Sequence, residues 1–116
     1  MNDNLSFGEL LQKMIIESGM THSEFYKMLR ITKPYFYDII KGRVKPPPLE
    51  MQCRMLRLLN TSDNNKKLFF QTAGRERNEI PGDIAFYLRT NPQIAEEIRR
   101  KVDYDSLLGG TRNESE

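Results

Sequence analysis

The chain is poor in the residues from which most catalytic and metal sites are built. Its 116 residues include one cysteine, Cys53, one histidine, His22, and no tryptophan. A single thiol forms no internal disulfide, and with one imidazole it falls short of the four ligands of a structural zinc site. A reducing cytoplasm is the setting that suits this composition. Long apolar runs are missing as well: Met14-Ile15-Ile16 is an example and no run exceeds five residues, against about 20 residues for a membrane span. The opening residues MNDNLS lack the basic and then apolar build of a signal peptide. A cytoplasmic location without membrane contact is therefore expected. There is no glycine-rich phosphate loop, no G-x-S-x-G and no metal-ligand cluster, so neither an enzyme nor a cofactor is expected.

An excess of one sign of charge is also absent, since the formal net charge is only +2. The distribution is uneven, however. Residues 1–42 hold five basic and five acidic side chains, residues 43–77 eight and three, and residues 78–116 five and eight. An anionic partner is to be sought at the basic middle. With 38% hydrophobic and 29% charged residues, the chain reads as a folded domain on the polar side of average, not as a disordered segment. Its length supports one main core without staples.

Helical signals run along the chain. Phe7, Leu10, Leu11, Met14 and Ile15 fall at helical spacing, and Ser6 with Glu9 makes an S-x-x-E capping box. A first helix is expected from about Phe7 to Ser18, stopped by Gly19. Thr21 with Glu24 repeats the box and opens a two-turn helix carrying Phe25, Met28 and Leu29. Thr32 and Pro34 start a third helix, whose inward side chains are Phe36, Ile39 and Ile40 and which Gly42 ends. About three residues, Arg30 to Thr32, separate the second and third helices. Joined so tightly, they must cross steeply, as in a helix-turn-helix.

The rigid Pro46-Pro47-Pro48 leads into a fourth helix near Leu49, with Met51, Met55, Leu56, Leu58 and Leu59 on its apolar face. A fifth helix is expected from Asp63 to Ala73, closed by Gly74. A sixth contains Ile84, Phe86 and Leu88, and a seventh carries Ile94, Ala95, Ile98 and Val102. No segment alternates with period two, so the class is all-α. Leu68, Phe69 and Phe70 cannot share one side of one helix, so later helices or a second subunit must cover a further surface. Met14, Met20, Met28, Met51 and Met55 read as fillers of an irregular core or as an adaptable interface. Cys53 reads as a small buried hydrophobe and His22 as a solvated residue of a capping turn. Glu96, Glu97, Asp103 and Asp105 interleave with Arg99, Arg100 and Lys101 as a solvated helix face.

The segment THSEFYKMLRITKPYFYDIIKG at residues 21–42, followed by RVKPPP, resembles the helix-turn-helix of the XRE family, the Cro and phage-repressor type of DNA-binding protein. A short helix, a tight turn, a recognition helix ending in glycine and a basic proline-containing loop occur in order. The likeness covers roughly residues 5–60, and ERNEIPGDIAFYLRTNP further on is similar to tails of small proteins of that kind. Three positions depart from the family pattern: Tyr26 stands where a small alanine is usual, Arg30 where the turn usually has glycine, and His22 where glutamine usually opens the second helix. The resemblance implies a five-helix repressor-like domain with additional C-terminal helices.

In such a domain the third helix enters the major groove. On a helical wheel its outer face carries Thr32, Lys33, Pro34, Tyr37, Asp38 and Lys41, with Tyr35 at the edge. Lys33 can donate to guanine, Asp38 can accept from cytosine, and Tyr37 can meet a thymine methyl or a phosphate. Arg43 and Lys45 suit phosphate clamps. The competing reading is that Tyr35 and Tyr37 are half-buried packing aromatics and the charges an ordinary solvated face. The expected organisation is a DNA-binding domain over 1–60, a helical extension for dimerisation over 61–108 and a disordered tail over 109–116. The expected function is regulation of transcription, most simply by a homodimeric repressor on a short inverted repeat of double-stranded DNA. The contrasting expectation is a mobile-element module that uses the same fold to bind a protein partner, such as a host defence protein.

Overall fold

A computed structural model describes residues 4–109. Among them are eight α-helices and no strand, so the fold is all-α. The helices are α1 (Phe7–Ser18), α2 (His22–Leu29), α3 (Lys33–Ile40), α4 (Leu49–Leu59), α5 (Asp63–Arg77), α6 (Gly82–Thr90), α7 (Pro92–Arg99) and α8 (Tyr104–Leu107). Both capping boxes form. The Ser6 and Thr21 hydroxyls accept from the Glu9 and Glu24 amides at 3.1 and 3.0 Å, and each glutamate accepts the cap's own amide at 2.9 Å. Caps of this kind contribute about 1 kcal/mol each and fix where the chain enters the helix. No helix among the described residues is long and apolar enough to cross a membrane.

The chain divides into two compact units, Met1–Ile84 and Ala85–Glu116. The core of the first unit draws on five helices: Phe7, Leu11 and Ile15 from α1, Phe25 and Leu29 from α2, Phe36 and Ile39 from α3, Met55 and Leu59 from α4, and Phe69 and Ala73 from α5 are all buried. A division after residue 60 would cut this core, and it falls at Ile84 instead. The cause is α5. Phe69 packs on Phe7 with ring centroids 5.0 Å apart, and the Glu76 carboxylate accepts the Phe7 amide at 2.8 Å, a favourable place for an acid at a helix N-terminus. Leu68 and Phe70 lie half-buried on either side of Phe69, so α5 covers its broad apolar surface within this unit.

Two glycines mark close approaches. A Cβ on Gly8 would overlap the Ile40 carbonyl, so α1 lies directly against the C-terminal end of α3. Gly74 does not close α5, which continues to Arg77 and is capped by Asn78; it is buried where the chain doubles back, and a Cβ there would stand 2.9 Å from the Pro81 backbone. Several packing expectations also change. Ile40 is half-buried while Phe36 and Ile39 are fully inside, Cys53 is half-buried, and Met28 is 59% exposed although Met14 and Met55 are buried. A helix of two turns presents too narrow a face to bury every apolar residue it carries.

In the second unit no described residue is buried. α7 stops at Arg99, short of Val102, and the brief α8 follows. The Asp103 carboxylate starts α8 by accepting from the Ser106 hydroxyl at 2.8 Å and from the Asp105 and Ser106 amides at 3.1 and 3.3 Å. Led by the Ser106 hydroxyl, these bonds hold its pKa below the usual aspartate range. Of the expected tail, Gly109 is exposed and residues 110–116 lie outside the described residues.

Candidate nucleic-acid interface

α3 starts on Thr32, whose hydroxyl accepts from the Tyr35 amide at 3.2 Å, with Pro34 in the first turn. Thr32 thus sets the register of the helix. α3 buries Phe36 and Ile39 in the core. Lys33, Pro34 and Lys41 are exposed, as are Arg43 and Lys45 in the loop beyond; Tyr35, Tyr37 and Asp38 are half-buried.

The two tyrosines pack against the core. Tyr37 meets Phe36 edge to face at 5.1 Å, and its hydroxyl lies 3.4 Å from Nδ1 of His22. His22 also tilts onto Phe36 at 5.4 Å, so it is a seam residue between α2 and α3 and not a solvated one. Tyr26 also tilts onto Phe36, at 5.4 Å. Aromatic pairs of this kind add about 0.5–1.5 kcal/mol each beyond burial. The α2–α3 turn places Arg30 at φ 62, a left-handed conformation that costs a non-glycine residue roughly 1 kcal/mol. Arg54 of α4 donates to the Leu29 carbonyl at the same corner.

Asp38 and Arg43 come together. The guanidinium donates to the carboxylate at 3.3 Å with both side chains open to solvent, and the Arg43 amide donates to the Asp38 carbonyl at 2.9 Å. An ion pair so exposed is worth at most about 1 kcal/mol, so it holds Arg43 only weakly. Across residues 30–45 five basic side chains face one acid.

The loop that carries Arg43 and Lys45 is pinned from beneath. Pro46 and Pro47 are buried. Arg77, at the end of α5, donates to the Pro46 carbonyl at 2.8 Å and is itself gripped by both Glu79 oxygens at 3.0 and 3.1 Å. Gln52 of α4 donates to the Pro47 carbonyl at 2.8 Å from a buried position. The hydrogen bond from Arg77 holds the Glu79 carboxyl below its ordinary pKa, and the positive charges of Arg77 and Lys45 add to that. Sequence reasoning passed over Arg77, Glu79 and Gln52. Arg77 lies 31 residues from its carbonyl partner, and no spacing rule reaches that far. His22 was legible only as a cap neighbour, because its contacts with Phe36 and Tyr37 depend on how two helices meet.

Among the described residues no group of three or more His, Cys, Asp or Glu side chains is placed to hold a metal ion. Compared with known proteins, the chain matches no family model, no curated protein and no solved structure.

Proposed function

We propose that the first unit is a helix-turn-helix domain that reads double-stranded DNA with α3, and that the protein is a transcriptional regulator, most simply a repressor. The observation that carries this reading is an exposed cationic row, Lys33, Lys41, Arg43 and Lys45, on a short helix and loop whose backbone is anchored by Arg77 and Gln52. Preorganised cations of this kind bind phosphate with little loss of conformational entropy. Phosphates are contacted by Arg43 and Lys45 and base edges by Lys33 and Tyr37. Asp38 either accepts from cytosine or stays with Arg43. In this reading the aromatic seam of His22, Tyr26 and Tyr37 sets the angle at which α3 meets the groove.

One observation favours a second reading, a protein-binding module: Asp38 neutralises Arg43 in the middle of the surface. Titration of fluorescent random duplex DNA at two salt concentrations separates the two. Under the DNA reading, affinity falls steeply as salt rises, with a log–log slope of roughly −0.9 for each phosphate contacted. Arg43→Ala and Lys45→Ala weaken every duplex alike, whereas Lys33→Ala or Tyr37→Ala relaxes discrimination at one base position by about 1–3 kcal/mol. Undetectable binding at low salt sinks the DNA reading.

A further inference from the structure

Of the eight basic side chains in residues 43–77, only Arg43 and Lys45 lie in the loop after α3. Arg75 and Arg77 donate to the Leu5 and Pro46 carbonyls, and Arg54 is turned to the Leu29 carbonyl. Arg57, Lys66 and Lys67 remain, on α4 and α5. Arg57 is exposed, and no carboxylate of the described residues pairs with it.

Arg57 borders a groove of about 400 Å³ between α4 and α5, whose lining is completed by Cys53, Leu56, Asn60, Lys66 and Phe70. That volume lies toward the small end of the range for small-molecule sites. The apolar part is fixed in advance. Leu56 belongs to the core of the first unit and is 6% exposed. Phe70 meets Phe69 edge to face with ring centroids 6.0 Å apart, and a Cβ on Gly82 would come within 3.4 Å of its ring, so the ring is held from two sides. The rim is cationic: Arg57 and Lys66 supply two positive charges, and no acid of the described residues lines the groove. Lys66 lies 3.5 Å from the Asp63 carboxylate, which is 90% exposed, so this pair opens at little cost.

An apolar floor beside positive charge fits a ligand with both characters. A bare phosphate or a nucleic-acid backbone would meet the charges and leave Leu56 and Phe70 wet; a neutral hydrophobe would lie against Phe70 and gain nothing from the guanidinium. We infer that the α4–α5 groove binds a small organic carboxylate with an apolar ring or a short acyl chain. The apolar body lies on Leu56 and Phe70, and the carboxylate accepts from Arg57 and Lys66. This is independent of whether α3 binds DNA.

Cys53, the one thiol of the chain, lines the groove and so reports on it. Its alkylation by iodoacetamide in the full chain is followed with and without 2-naphthoate or octanoate, each at about 5 mM, several times the roughly 1 mM dissociation constant expected of ligands this small. At least one of the two slows alkylation about threefold or more, and amide shifts in NMR spectra of the complex centre on Cys53, Arg57, Lys66 and Phe70. The neutral 2-naphthol protects less than half as well as 2-naphthoate, and inorganic phosphate does not protect. Arg57→Gln unfolds and alkylates like wild type without ligand, as suits an exposed side chain, but loses most of the protection. Failure of both carboxylates to protect overturns the inference, as do shifts confined to other surfaces or full protection in Arg57→Gln. Equal protection by 2-naphthol or by phosphate overturns it too, since rings alone or charge alone would then suffice.

Discussion

The two units are built from the same local ingredients and differ in what those ingredients meet. Up to Ile84, fourteen apolar side chains close into one buried cluster. Beyond it no described residue is buried, and Leu108 stands 81% exposed. Helix signals are nonetheless good in both: Ser6 and Thr21 cap α1 and α2, and Asp103 caps α8. Capping and periodicity form helices, but a core needs partners from distant parts of the chain, and in the first unit α5 supplies them to α1.

The contrast breaks most visibly by truncating one aromatic on each side. Phe69→Ala removes a ring packed on Phe7 and lowers unfolding stability by about 3–5 kcal/mol, read as a large fall in the urea midpoint. Phe86→Ser changes it by less than about 0.5 kcal/mol. A comparable loss at Phe86 would mean that the second unit has a hidden core. Gly8→Ala ranks next. With the Ile40 carbonyl in the way, α1 and α3 must move apart at a cost of about 1–3 kcal/mol, and near-UV circular dichroism should report the disturbed tyrosines.

Arg77→Ala sharpens the link between core and loop. It leaves the part-buried Pro46 carbonyl without its donor and destabilises by about 1–2 kcal/mol, with amide exchange rising first over residues 43–47. The clamp also gives a pH signature. Because Glu79 has a lowered pKa when folded, its contribution is complete above the unfolded glutamate value and disappears as pH falls through the folded one. The stability difference between wild type and Glu79→Gln is therefore expected at neutral pH and vanishes in acid. The smallest effect has the opposite sign: Arg30→Gly relieves the φ 62 backbone and stabilises by roughly 0.5–1 kcal/mol, net of the entropy that glycine adds to the unfolded chain.

Local rules made much of the first unit legible. Ser6-x-x-Glu9, Thr21-x-x-Glu24 and Thr32 before Pro34 set the starts of α1, α2 and α3, because a cap is decided by side chains three residues apart. The same rules misjudged Gly74, where glycine answers a tertiary contact with Pro81, and placed the end of the first unit after residue 60, because a contact between Phe69 and Phe7 leaves no trace in local periodicity. At the candidate interface, the exposed cations Lys33, Lys41, Arg43 and Lys45 could be read from the wheel and from the prolines beside them. The Asp38–Arg43 pair, the seat of His22 and the anchoring of the loop by Arg77 and Gln52 could not.

The sequence by itself determined that this chain is helical and where its first helices start, since period and capping act within a few residues of one another. Only the tertiary structure decided that α5 completes the core, that the basic loop is held from beneath, and that the last helices leave their apolar surface open. Each of these is a contact between residues far apart in the chain, whose closure entropy is offset only when the whole set forms together.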